Sequence, residues 1–182
     1  MQNYITDPVL KVSTSMTPAR NVLMRLARCK FVQKKENILI TGGTGVEKSY
    51  LGTAVDYEGC VEDFKVNYFN TSKLFAKIKM AKADGSYLRE IAKIPRQDLI
   101  ILDDFGLQAF DSANRITILE IIEDRHNKGF IIVTSQIPIQ DWYDIIGEKT
   151  IADDILDRLN HHSHCLELQK ESIRKKKRVN SE

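Results

Sequence analysis

The chain has 182 residues, 42% hydrophobic and 29% charged, which suits one folded domain and excludes a disordered chain. Its 27 Lys and Arg against 25 Asp and Glu leave a formal charge of +2, so any nucleic-acid contact must come from local patches, not from a whole-molecule polycation. The longest apolar runs, Leu99 to Leu102 and Phe130 to Val133, are far too short to span a bilayer. The opening MQNYITDPVL has no basic region leading into an apolar stretch, so no signal peptide is expected. Cys29, Cys60 and Cys165 are widely spaced without a CxxC pair and read as free thiols of a cytoplasmic protein.

In chain order, residues 1–17 lack periodicity and read as a loose lead-in. Thr17 as N-cap and Pro18 open an amphipathic helix over about 18–32, carried by Val22, Leu23, Leu26, Ala27 and Phe31. Ile38, Leu39 and Ile40 form a buried strand that runs into glycines. A helix over 48–60, weakened by Gly52 and Gly59, and a strand over 64–69 follow. Leu74, Phe75, Ile78 and Ala81 mark one helix and Leu88, Ile91 and Ala92 another, with Asp84-Gly85 between them. After Pro95 comes the strand 99–102. An amphipathic helix with Ile116, Leu119 and Ile122 on one side and Arg115 and Glu123 on the other ends near Gly129, a C-terminal glycine. The strand 130–134, a helix on Ile151, Ile155, Leu156 and Leu159, and a final strand over 166–168 complete the series.

Short apolar strands without alternation, separated by helices, require a parallel sheet covered on both faces. The expected class is α/β, with residues 18–170 as the domain and 171–182 as a basic tail. Ligands of such sheets sit at the carboxyl ends of the strands.

The loop after the first buried strand reads Gly42-Gly43-Thr44-Gly45-Val46-Glu47-Lys48-Ser49, close to the phosphate-binding pattern G-x-x-x-x-G-K-[ST]. Backbone N–H groups of Gly42 to Val46 would face the phosphates, with Lys48 on the β- and γ-phosphates, Ser49 on Mg²⁺ and Tyr50 in the first turn beyond. Glu47 stands where the pattern has glycine. At about 4 Å and an effective dielectric of about 20, its carboxylate and one phosphate charge repel by roughly 4 kcal/mol. Leu99-Ile100-Ile101-Leu102-Asp103-Asp104 is an apolar strand ending in paired carboxylates, the arrangement of a Walker B element. Asp103 would join the Mg²⁺ shell and Asp104 would polarise water. The strand 130–134 ends in Ser135 and Gln136, suited to sense a γ-phosphate. Arg158 is placed either to reach a neighbouring subunit's nucleotide or to pair with Asp154 one turn back, and the sequence leaves both open.

With these residues the chain resembles the IstB-like transposition helper ATPases, a branch of the AAA+ superfamily close to the DnaC and DnaI helicase loaders. The resemblance covers roughly residues 17–176 and is most specific at 100–107, 131–138 and 151–159. It implies a three-layer P-loop NTPase with a central, mostly parallel sheet, binding ATP and Mg²⁺, assembling as a homo-oligomer on DNA and regulating a transposase. Carried over by position, Lys48 and Ser49 match Walker A, Asp103 and Asp104 Walker B, Gln136 sensor 1 and Arg158 the arginine finger. The resemblance also implies that the helical pair over about 72–94 occupies the place where the clade inserts its initiator-specific helix, which lines DNA, and Lys73, Lys77, Lys79 and Lys82 supply phosphate-seeking charge there.

Two departures qualify it. Full-length relatives carry several dozen residues before the shared part, so the chain reads as shortened, and Glu47 with Asp56, Gly52, Gly59 and Asp63 reads as a decayed copy. Two other functions therefore stand beside the transposition ATPase: a DNA- or protein-binding module with impaired nucleotide binding, and a loader of a replicative helicase. His161, His162, His164 and Cys165 do not orient ligands from one strand, because successive residues point to opposite faces. The run 174–178 (Arg-Lys-Lys-Lys-Arg) is a solvated tail able to add phosphate contacts, and Trp142 and Tyr143 read as packing residues.

Overall fold

The computed structural model describes residues 10–13, 36–43, 65–125 and 128–169. The expected helices over 18–32 and 48–60, Thr44 to Tyr50, Cys29, Cys60 and the basic run 174–178 lie outside the described residues.

Six strands form one sheet: β1 (Leu10–Ser13), β2 (Asn37–Gly42), β3 (Val66–Asn70), β4 (Leu99–Asp103), β5 (Phe130–Ser135) and β6 (Ser163–Gln169). Their spatial order is β1-β6-β2-β5-β4-β3. Every pairing is parallel, so the sheet described is wholly, not mostly, parallel. Residues 10–13, expected within a loose lead-in, pair with β6 in register Leu10 to Leu166. Four residues are too few for a period to show in the sequence, and the partner strand supplies the order.

The described helices are α1 (Thr71–Ala83), α2 (Tyr87–Ile91), α3 (Ser112–Arg125), α4 (Trp142–Ile146) and α5 (Lys149–Asn160), with a short 3-10 turn at Ile139–Asp141. Strand alternation divides the apolar side chains between two faces. Leu39, Ile100, Leu102, Ile131 and Val133 pack with Leu74, Phe75 and Ile78 of α1, Ile118, Ile121 and Ile122 of α3, Trp142 of α4 and Ile155 of α5. The other face carries Ile38, Ile40, Leu99, Ile101, Phe130 and Ile132, also buried. The fully buried Trp142 and Phe105 rings meet at a tilt, 4.7 Å between centroids, and the Trp142 indole donates to the Ile137 carbonyl at 3.0 Å. This meets the expected packing role for Trp142.

Two apolar faces differ from expectation. On α3 the buried residues are Thr117, Ile118, Ile121, Ile122 and Arg125, while Ile116 is exposed. The run 116–122 is apolar on several sides, so its period permits two phases. The phase found is the one that turns Arg125 inward. Leu88 on α2 is exposed at 77%, because a helix of five residues turns only part of one face to the core.

Arg125 explains Gly129. Its guanidinium is 1% exposed and donates to the carbonyls of Gln97, of Asp98 at 2.6 Å and of Phe130 at 3.2 Å. It thereby ties the entrance of β4 to that of β5. A Cβ at 129 would press into the guanidinium and stand 2.7 Å from the Asp98 carbonyl. Gly129 is therefore needed for close approach, and no left-handed cap is involved: its φ is not positive. We expect Gly129→Ala to destabilise the fold by about 1–3 kcal/mol through overpacking, measured as a lower midpoint in urea unfolding.

Candidate nucleotide-binding site

The site follows from the strand order. The chain passes from β2 to the sheet margin at β3 and returns through β4 to β5, while β6 lies on the other side of β2. β2 is thus the point at which the order reverses, and ligands of open parallel sheets bind outside the carboxyl ends at that point. Gly42 ends β2 there and Gly43, exposed, begins the loop. β4 is two strands away, at about 4.8 Å per step or about 10 Å in all. Asp103 lies on the same sheet face as Ile101, and Thr134 on that of Ile132 and Ile40. Of the expected phosphate-loop residues, Gly42 and Gly43 are described; Thr44, Gly45, Val46, Lys48, Ser49 and Tyr50, with Glu47, are not.

Asp103 is 3% exposed. Its carboxylate accepts from the Tyr68 hydroxyl on one oxygen and the Thr134 hydroxyl on the other, and its carbonyl accepts from Thr71 Oγ1 at 2.8 Å. The chain then turns sharply. Asp104 has φ 56° and Gly106 φ 75°, a left-handed conformation that Asp tolerates better than most residues. Phe105 anchors the turn: its N–H donates to the Thr134 carbonyl at 2.9 Å, and its carbonyl accepts from Ser135 Oγ at 2.6 Å. With the ring buried, the Asp104 carboxylate is carried outward between two amides, Asn70 Nδ2 at 3.1 Å and Gln136 Nε2 at 3.4 Å. Asn70 also caps α1, its Oδ1 accepting from Lys73 N–H at 3.2 Å.

Asp103, Asp104 and Gln136 therefore lie together at the carboxyl end of β4. Tyr68 and Asn70 are additions to that set. Their spacing of two on a strand was visible, but the pairing of β3 with β4, which puts Asn70 across from Asp103, was not.

Arg158 does not join them. It sits on α5, whose carbonyls at Arg158 and Leu159 accept from Asn37 Nδ2, at the opposite edge of the sheet from Gly42. Its guanidinium lies 2.9 Å from Glu123 on α3 and 3.5 Å from Asp154. Of the four lysines on α1, Lys77 pairs with Glu90 at 2.9 Å and Lys82 stands 4.7 Å over the Tyr87 ring. Lys73 and Lys79 are exposed. Hydrogen bonds from Lys93 and Lys77 bring the Glu90 carboxyl down to about 2. His164 faces Glu36 at 2.7 Å, and Cys165 is buried. Among the described residues no group of three or more His, Cys, Asp or Glu is arranged to hold a metal, and no helix is long and apolar enough to cross a membrane.

A parallel sheet in this order, with an acidic pair at the carboxyl end of β4 and a glycine loop leaving β2, defines a P-loop NTPase fold of the AAA+ type. Residues 11–181 match the family described as IstB-like ATP binding protein, and the chain belongs to that family. It is 39% identical over 162 residues to a Sinorhizobium fredii protein, y4pL, that carries the provisional name of insertion sequence ATP-binding protein; the match covers 89% of this chain and 66% of that one. The similarly named protein of insertion sequence IS21 in Pseudomonas aeruginosa is 30% identical over 159 residues, covering 87% and 60%. The chain thus spans about three fifths of the length of the curated relatives it matches. Among solved structures, DnaI superposes with a TM-score of 0.71 at 23% identity, over 90% of this chain and 95% of that one, a likeness of fold.

Because Asn70 caps α1, Asn70→Ala should cost about 1 kcal/mol of stability. Asn70→Asp should restore the cap while setting a second carboxylate against Asp104. Urea unfolding of both variants checks this: the midpoint of Asn70→Asp is expected to fall between those of Asn70→Ala and the native chain.

Proposed function

We propose that the chain binds ATP and Mg²⁺ at the carboxyl edge of the sheet and works as an ATP-dependent helper of DNA transposition. In this reading it assembles on DNA in the cytoplasm and regulates a transposase through ATP binding and hydrolysis. The observation that carries it is the acidic pair at the carboxyl end of β4, on the same edge of the sheet as Gly42 at the end of β2. Membership in the ATP-binding family supports it, as do relatives named after insertion sequences.

The residues suit the groups they would hold. Mg²⁺ takes oxygen ligands, and a carboxylate oxygen accepts more than one partner, so the hydroxyl contacts of Asp103 are compatible with a metal shell. Asp103 with Ser49 would hold Mg²⁺. The metal would supply neutralisation of phosphate charge. Backbone N–H groups from Gly42 to Val46, with Lys48, would bind the phosphates, and Tyr50 would border them. Asp104, oriented by the Asn70 and Gln136 amides, would take a proton from the attacking water, and Gln136 would sense the γ-phosphate. Arg158 would act on a neighbouring copy's nucleotide only after leaving Glu123 and Asp154. For DNA, exposed Lys73 and Lys79 are the lysines of α1 best suited to phosphate contact, since Lys77 and Lys82 are engaged within the helical pair.

One residue favours a second reading. Glu47 replaces the loop glycine, and its repulsion, even halved, amounts to more than tenfold in affinity. The chain would then act through DNA or protein contacts alone. Titrating Mg·ATP into the chain and into Glu47→Gly by calorimetry separates the two. Micromolar affinity in the native chain, with Mg²⁺-dependent phosphate release, supports the ATPase reading. Binding that emerges with Glu47→Gly alone supports the second, and none in either contradicts a nucleotide site here.

A further inference from the structure

The acidic pair is gripped from both sides by side chains two residues apart: Tyr68 and Asn70 from β3, Thr134 of β5 and Gln136 just beyond that strand. The inner grip, on Asp103, is made of hydroxyls. Tyr68 lies across from Ile101 in the β3–β4 register and packs against the apolar cluster that contains Ile101 and Leu99. The ring is held by that packing, and its hydroxyl reaches along β4 to the carboxylate two residues further on. Thr134, next to Asp103 from the other side, meets the second oxygen. Donors on opposite oxygens from opposite strands fix the plane of the carboxylate, not merely its location.

We propose that Tyr68 is a positioning residue for Asp103 and sets the metal-dependent share of nucleotide binding. The inference rests on the nucleotide reading above and deepens it: Asp103 is the expected metal-side ligand, and partners that orient such a ligand typically govern metal affinity by 10–100-fold. Phenylalanine keeps the ring and its packing and removes the hydroxyl.

The test uses the full chain, in native and Glu47→Gly backgrounds, with ADP as the probe. Affinity is measured with Mg²⁺ and again with EDTA, and Mn²⁺ binding in the presence of ADP is read by electron paramagnetic resonance. Tyr68→Phe is expected to weaken Mg²⁺-dependent ADP affinity and Mn²⁺ binding by about tenfold while leaving affinity in EDTA unchanged. Thr134→Val, which removes the donor on the other oxygen, should give the same pattern. A fall of both affinities together, no change in either, or a Tyr68→Phe chain that does not fold overturns the positioning role. If the unsubstituted and Glu47→Gly chains both fail to bind ADP, the nucleotide reading itself fails and takes this inference with it.

Discussion

Burying the carboxylate of Asp103 at the end of an apolar strand is the constraint on which the site depends. A charge taken out of water costs several kcal/mol unless it is hydrogen-bonded, and β4 contributes no side-chain donor of its own: it is Leu99, Ile100, Ile101, Leu102 and then the acid. The donors come from the flanking strands, Tyr68 and Thr134. The order β3-β4-β5 is therefore as much a requirement of the acid as of the apolar core. The same order sets β5 alone between β4 and β2, so the ends of the two strands at Asp103 and Gly42 stand two strands apart on one edge of the sheet.

The turn beyond β4 solves a second problem, showing one acid outward directly after burying another. The left-handed backbone of Asp104 reverses the chain, and the Phe105 ring, locked against Phe110 and Trp142, pays for that strained geometry with apolar burial. Asn70 then links the outward acid to the first turn of α1. One side chain thus touches both the first turn of α1 and the Asp104 carboxylate.

Much of this was legible from residue order. Non-alternating apolar strands separated by helices called for a parallel sheet, and the acids after Leu102 and the polar end of the strand 130–135 stand where such a sheet brings ligands. What the sequence withheld were properties of pairing and phase. Tyr68 and Asn70 gain meaning only once β3 is known to lie beside β4. The α3 face depends on where Arg125 must go, and Gly129 answers to that guanidinium, not to a helix cap. Residues 10–13 show no period because four residues cannot. The sequence leaves Arg158 between two readings, and the structure pairs it with Asp154 and with Glu123 of α3, away from the acids.

The most direct measurement is an experimental structure of the Glu47→Gly chain with Mg²⁺ and a non-hydrolysable ATP analogue. The metal should lie next to Asp103, bound directly or through one water, with the triphosphate lying over the loop that leaves β2 and Asp104 facing the γ-phosphate. A triphosphate bound at another edge of the sheet, or a metal that ignores Asp103, would contradict the assignment.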